Sequence, residues 1–518
     1  MKSNLIHTHF FILLLSILFT GGCTKEVEER LNFIVIYTDD MNFDHLGYYN
    51  ESIITPTIDN LAANGFILNR YYTSAPVCTP SRYGLLTGRY ASRSKTLVNR
   101  YPTDEPAFLR WNTHIEEGDK TLAHILNEGG YSTGMVGKYH NFDNEMYQTD
   151  CSKLDPLSED GRECLEGNYS AMKGAVKQSS GFQYVESLYA NNLHALGLPA
   201  ELQQHNMDWV TKGALEFIDQ NKETPFFLYV ATTIPHGPEP LNSIKAGSKI
   251  TPAGYLDDEI TVQPSRDELL KRVTDAGLPE NAAVFTWIDD GITAIMKSLE
   301  EKGLLKNTII IFASDHSGEF SGRAKMTNYE GGVHTPAFVW SPGKIESGGE
   351  SEALVANIDF VPTVLDLAGI EIPDSYVTDG YNLMPLLKGE EESIRESIFL
   401  EITYSRGVVT DRWKYITTRF PSDIQSKINE TNYDQFNQEG VQVTHDVLSG
   451  RMRSRYNAHE IYPGYFDPDQ LYDLENDPGE QKNLFQEPAY SDTIDMLEKE
   501  LTDYLARFPH SFGEFKKD

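Results

Sequence analysis

The chain has 518 residues, of which 40% are hydrophobic and 23% charged, which excludes a disordered polyelectrolyte and is enough apolar material for a large core. Its 44 Lys and Arg face 77 Asp and Glu, a formal net charge of −33, so the basic footprint of a nucleic-acid binder is missing. An anionic substrate is compatible with that charge only where positive groups gather in one cleft.

Lys2 precedes an apolar run, Phe10 to Phe19, and then Thr20-Gly21-Gly22-Cys23. A basic start, a short greasy centre and small residues at its end make an export signal, too short to span a bilayer comfortably. Cys23 after Gly-Gly resembles the bacterial lipoprotein cleavage site, although Thr20 stands where Leu is usual. That resemblance implies a signal peptide over 1–22, lipidation of Cys23 and a tether over 23–30 carrying Glu26, Glu28 and Glu29. The expected location is the outer membrane, periplasm or cell surface, with membrane contact by the lipid alone.

Leu31–Tyr37 predicts a buried strand ending at Asp39-Asp40, and 58–63 a helix stopped at Asn64-Gly65. A helix is expected over 121–127 and a strand over 132–136. Cys151 and Cys164 lie close together in a polar stretch; in an oxidising compartment they are candidates for a local disulfide, the alternative being two free thiols. Apolar spacing predicts a helix over 207–221, a strand over 226–231, a helix over 282–299 and a buried strand over 308–312 that ends at Asp315-His316. Near-continuous apolar strands alternating with helices imply an α/β fold with a mostly parallel sheet covered on both faces. Ligands of such sheets bind beyond the carboxyl ends of the strands, where Asp39, Asp40, Asp315 and His316 all fall. Past about residue 385 the pattern changes: 398–402 and 413–417 read as strands of a smaller sheet, and 490–508 as a closing helix.

The most informative stretch is Ala75-Pro-Val-Cys78-Thr-Pro80-Ser-Arg82, followed by Leu86-Thr-Gly88-Arg89. Pro80 and Ser81 suit a helix start and Gly88 its end. Cys78 then sits at a helix N-terminus, which stabilises anions, and Arg82 one turn on can point back to it. This run resembles the sulfatase signature. Gly130 to His140, with Lys138, resembles the second signature of that family. Pro235-His236, Ser314-Asp315-His316, Lys325 before Tyr329-Glu-Gly-Gly332, and Leu471 to Pro478 with Asn483-Leu484 follow in the family's order.

The resemblance to formylglycine-dependent sulfatases implies an alkaline-phosphatase-like fold, with a catalytic domain over 31–385 and a smaller C-terminal α+β subdomain with an antiparallel sheet over 386–518. It implies oxidation of Cys78 to formylglycine (3-oxoalanine) by a formylglycine-generating, sulfatase-maturating enzyme. It implies a divalent cation, Ca²⁺ rather than Mg²⁺, held by Asp39, Asp40, Asp315, His316 and the residue at 78; hard oxygen donors suit either ion. His140 becomes the candidate base and His236 the candidate acid at the leaving oxygen, while Arg82, Lys138 and Lys325 neutralise charge. Ser317 interrupts the usual Asp-His-Gly, and His334 stands where Arg is common.

Export suggests a sulfated carbohydrate as substrate: an algal polysaccharide such as ulvan or carrageenan, its oligosaccharides, or a glycosaminoglycan. Arg89, Arg93, Lys95 and Arg100 offer a basic stretch for docking a polyanion, with Tyr90, Tyr101 and Trp111 as candidates for stacking on sugars. Segment 141–207 is a further candidate for shaping sugar subsites. Two alternatives remain: a phosphodiesterase or phosphonate hydrolase of the same superfamily, or a protein that binds sulfated glycans without turnover.

Overall fold

The computed structural model describes residues 30–318, 324–345, 347–430 and 458–513; the signal segment, Cys23 and almost all of the tether lie outside them. Fourteen strands are named in chain order. The large sheet uses β1 (Asn32–Asp39), β2 (Phe66–Tyr72), β3 (Ser132–Lys138), β4 (Tyr184–Tyr189) and β5 (Phe226–Pro235). A short hairpin, β6 (Ile250–Thr251) and β7 (Gly254–Tyr255), stands apart. The large sheet then takes β8 (Thr308–Ser314), β9 (Ala337–Trp340) and β10 (Gly349–Ala356). The second sheet holds β11 (Ser397–Ile402), β12 (Ser405–Thr410), β13 (Trp413–Thr418) and β14 (Asp469–Asp473).

The large sheet has the order β10-β2-β9-β8-β1-β5-β3-β4, and only β9 pairs antiparallel to its neighbours. The central strands β1, β5 and β8 are buried along their whole length, as their apolar sequences require of a sheet covered on both faces. Each buried Ile or Phe there contributes about 1.5–3 kcal/mol relative to exposure. Helices Met207–Gln220 and Ala283–Glu301 pack against one another on the sheet, presenting Val210, Ala214, Phe217, Ile288, Ile292 and Ile295 inward.

Chain order places the site. From β1 in the middle of the sheet, the chain runs to β2 on one side and to β3, β4 and β5 on the other, so loops from both halves meet above its carboxyl end. The β2 loop delivers the helix Cys78–Thr87, which ends on Gly88 in the left-handed region at φ 62°. A helix Glu159–Ser180 carries Cys164 and joins it to Cys151, closing a 13-residue separation at a Cα distance of 6.1 Å. The local disulfide reading holds. The helix itself escapes sequence pattern because it is polar along most of its length.

The antiparallel second sheet has the order β11-β12-β13-β14, is covered by the helix Ser491–Leu505, and meets the first through an apolar cluster that joins Tyr72, Leu354 and Ala356 to Ile398, Phe399 and Leu400; a buried ion cluster lies beside it. Lys414 on β13 is fully buried, with Nζ 2.6 Å from Glu330 Oε1 and 3.0 Å from Glu480 Oε1. Both contacts are ionic rather than aligned hydrogen bonds. Glu480 also accepts from the Glu330 backbone N–H at 2.7 Å. The Tyr-Glu-Gly-Gly and Asp-Pro-Gly-Glu sequences are therefore two halves of one buried ion cluster. Removing one partner of such a cluster strands the other charges. Lys414→Met is expected to cost about 3–5 kcal/mol in chemical denaturation, and Lys414→Arg much less; a loss below about 1 kcal/mol in the Met variant would contradict this.

Candidate active site

Cys78 is the first residue of its helix, follows Val77 in extended conformation, and is wholly buried. Its Sγ lies 3.2 Å from His316 Nε2 and 3.5 Å from Lys138 Nζ. Burial pushes the thiol up to about 12 against the pull of Lys138, so an unmodified Cys78 is a neutral thiol and a poor nucleophile.

Around it, the expected residues converge from strand ends. Lys138, at the end of β3, donates from Nζ to Asp39 Oδ2 at 2.5 Å. Lys325 donates to Asp40 at 2.7 and 3.0 Å. Arg82 forks onto Asp315 Oδ2 through Nε at 3.1 Å and Nη2 at 2.9 Å, and its Nη2 lies 3.5 Å from Asp39 Oδ1. Its Nη1 donates to the Lys138 carbonyl at 3.0 Å and to the Tyr229 hydroxyl at 3.1 Å. Arg82 is thus wholly buried and engaged with carboxylates and the framework.

Ligand atoms of Asp39, Asp40, Cys78 and His316 lie within 4.8 Å of one another. Asp315 adjoins them: its Oδ1 accepts from the Asp40 backbone N–H at 3.1 Å and lies 3.5 Å from His316 Nε2. His316 Nδ1 faces the Ser317 carbonyl at 2.9 Å, so it carries the proton and the Nε2 lone pair points at the cluster. Asp39 Oδ1 is buried without a hydrogen-bond partner. Carboxylate oxygens with one imidazole, one oxygen unsatisfied, fit a hard divalent cation. Burial raises the Asp39 carboxyl, but Lys138, His236 and Arg82 outweigh it and hold that group well below the usual range. Burial, then the charge of Asp39, push Asp315 well above it despite Arg82. A cation at the cluster relieves that mutual repulsion.

Asp40 reaches the site by adopting φ 68°, and His140 by φ 62°. Strain of this kind costs about 1–3 kcal/mol per residue and is held by the surroundings. His140 is buried, its Nδ1 lacks a hydrogen-bond partner, and burial together with Lys138 pushes its pKa well below the ordinary imidazole range. His236, half-buried just beyond β5, has Nδ1 2.7 Å from the Gly237 carbonyl, leaving Nε2 for another partner; burial, then Lys138, lower it to about 4.

The two departures from the family pattern have structural answers. Ser317 donates from Oγ to the Gly331 carbonyl and from its backbone to the Gly332 carbonyl, tying the His316 loop to the Lys325 loop. His334 accepts a structural role: Nε2 meets the Asn69 carbonyl at 2.7 Å, and the ring stacks on Tyr72 at 5.2 Å. The proposed basic docking stretch is corrected. Arg93 pairs with Asp379 at 2.7 Å and Lys95 with Asp119 at 3.0 Å, while Arg89 donates to the Val377 carbonyl and lies over Tyr376. Tyr90 is core, edge-on to Phe399. Sequence reasoning missed Tyr229, which no motif marks, and the hydroxyl chain Tyr37–Ser81–Thr73 that fixes the Cys78 helix to the Asp315 carbonyl.

A mostly parallel sheet with a buried Cys and a cluster of charged residues at its carboxyl edge fits the alkaline-phosphatase-like class. The sulfatase family model matches residues 31–370, and the chain belongs to the sulfatase family, whose members are sulfuric ester hydrolases. A second model, described as the N-sulphoglucosamine sulphohydrolase C-terminal region, matches residues 318–427. Human arylsulfatase A is 30% identical over 479 residues, covering 88% of this chain and 83% of its own. A solved structure from work on glycosaminoglycan metabolism by Bacteroides thetaiotaomicron superposes with TM-score 0.62 at 21% identity, covering 92% of this chain and 99% of that one. The fold is shared beyond sulfatases: a phosphonate monoester hydrolase from Silicibacter pomeroyi superposes at TM-score 0.57 and 18% identity, over 92% and 96%.

Calorimetric titration of Ca²⁺ tests the cluster apart from turnover. Saturable binding is expected in the wild-type protein and in His236→Ala, and its loss is expected in Asp39→Asn. Equal binding by Asp39→Asn would place the cation elsewhere.

Proposed function

We propose that the enzyme is an exported sulfatase that removes sulfate from a sulfated carbohydrate, with Cys78 matured to formylglycine and Ca²⁺ held by Asp39, Asp40, Asp315 and His316. One observation carries this reading: Cys78 begins a buried helix with its Sγ beside Lys138 and the imidazole of His316, while Arg82 and Lys325 pair with the adjoining carboxylates Asp315 and Asp40. A thiol with its pKa near 12 has little use as a nucleophile there, whereas an aldehyde hydrate placed there supplies a hydroxyl, and the cation supplies Lewis-acid stabilisation of a sulfate oxygen.

The chain's own groups supply the rest. Lys138 and Lys325 offer ammonium donors beside residue 78 and Asp40 for the sulfate oxygens, whose charge is spread in the transition state. Arg82 orients Asp315 and steadies the β3 end through the Lys138 carbonyl. Neutral His140 accepts a proton near residue 78. His236, whose Nδ1 proton is committed to the Gly237 carbonyl, has a bare Nε2 while neutral; it must first take up a second proton at Nε2, favoured by the negative charge of bound sulfate, and then delivers that proton to the departing alcohol oxygen.

The carbohydrate part of the proposal is supported by the export signal and by the glycosaminoglycan setting of the similar Bacteroides protein. Ulvan, carrageenan and glycosaminoglycan oligosaccharides are the candidates. Lipidation at Cys23 and a place at the outer membrane or cell surface belong to the same proposal, as does a maturating enzyme as partner.

Intact-mass analysis of the Cys78 peptide from natively produced protein is expected to show the aldehyde mass in place of the thiol. An unmodified thiol in active protein would overturn the assignment. Cys78→Ala is expected to abolish sulfate release from every member of a panel of sulfated oligosaccharides while leaving the melting temperature near wild type. Retained turnover would mean a different nucleophile.

A further inference from the structure

His205 precedes the helix Met207–Gln220 and is 3% exposed. No signature of the sequence marks it. Its Nδ1 lies 2.8 Å from Thr233 Oγ1, on β5, and its Nε2 lies 3.0 Å from the Pro238 carbonyl. These two partners flank His236 on either side. A carbonyl only accepts, so Nε2 carries the proton, and Nδ1 accepts from the Thr233 hydroxyl. One neutral ring thus staples the start and finish of the turn that carries His236. The staple is itself anchored: the His205 backbone N–H donates to Ser243 Oγ at 2.9 Å, and Asn206 donates to the Ser248 and Ile250 carbonyls at 2.7 and 2.9 Å.

The orientation of His236 depends on that turn. Its Nδ1 is bonded to the carbonyl of Gly237, one residue before the carbonyl that His205 holds. If Pro238 shifts, the Gly237 carbonyl moves, and the His236 ring loses the bond that turns Nε2 toward the site. A proton delivered from Nε2 is sensitive to such movement, because general acid catalysis requires hydrogen-bond reach to the leaving oxygen.

We propose that His205 is a positioning residue that aims His236 at the leaving oxygen, an inference that rests on reading His236 as the general acid. It touches no substrate itself. Its effect scales with how much the leaving group needs a proton: large for a sugar alkoxide, small for an acidic phenol.

The test compares matured wild type, His205→Ala, His205→Gln and His236→Ala on two substrates, a sulfated sugar and an activated aryl sulfate. His205→Ala is expected to lower kcat/KM on the sugar by about tenfold or more and on the aryl sulfate by less than about threefold. His205→Gln, whose amide can donate to the Pro238 carbonyl and accept from Thr233, is expected to recover most of the loss. Equal losses on both substrates, or no loss on either, in an enzyme whose His236→Ala variant does discriminate between them, would overturn the role of His205 alone. If His236→Ala loses both activities equally, the acid assignment fails and takes the proposal with it.

Discussion

The fork of Arg82 onto Asp315 is the contact on which the rest of the site depends. A guanidinium with no exposure has left water, which costs several kcal/mol unless carboxylates and carbonyls replace the lost hydration. Here Asp315, Asp39, the Lys138 carbonyl and the Tyr229 hydroxyl do so. Those partners come from the residue after β8, the ends of β1 and β3, and the body of β5, so one side chain registers four neighbouring strands against the helix that begins with Cys78. The sheet and the Cys78 helix cannot slide independently without leaving a buried charge unpaired.

The same pairing sets the electrostatics. Arg82, Lys138 and Lys325 each face a buried carboxylate: Asp315, Asp39 and Asp40. The protein groups thus cancel among themselves and attract an anion weakly. A divalent cation held by the carboxylate cluster would tip the balance and give the pocket a net positive charge, inside a molecule at −33. With Arg93 and Lys95 paired to Asp379 and Asp119, the surface beside the site adds little attraction for a polyanion. Recognition of an anionic substrate there would rest on short-range contacts within the site. Screening by salt weakens repulsion from the acidic surface more than it weakens those contacts.

Much of this was legible in the residues. The buried strands β1, β5 and β8 announce themselves by unbroken apolar runs, and the carboxylates at their ends by position. Cys78, Arg82, Lys138, His236 and Lys325 were recoverable because local motifs surround each one. What escaped follows from the same logic. β2, β9 and β10 are short or mixed in character, and their pairing depends on partners far away in sequence. Tyr229 acts through one hydrogen bond across 147 residues and His205 through two, across 28 and 33, and neither leaves a local pattern. The basic stretch after the Cys78 helix misled for the converse reason: four cations close in sequence look like a docking surface until the partners of three of them, up to 414 residues away, are seen.

The second sheet shows why the family's terminal signature matters to a site it does not enter. Glu330 follows Lys325 by five residues, and its loop is fastened on one side to Ser317 and on the other to Lys414, Glu480 and Gln470. Ser317 follows His316 directly. The loop bearing Lys325 and the loop bearing His316 are therefore clamped together against the C-terminal sheet. A hydrophobic interface of the same area could bury as much surface, but it would allow the loop to slip by small distances. A buried ion cluster does not, because each small displacement strands a charge. Rigidity at Lys325 is what an active site built on preorganised charge requires, and the C-terminal subdomain supplies it from outside the pocket.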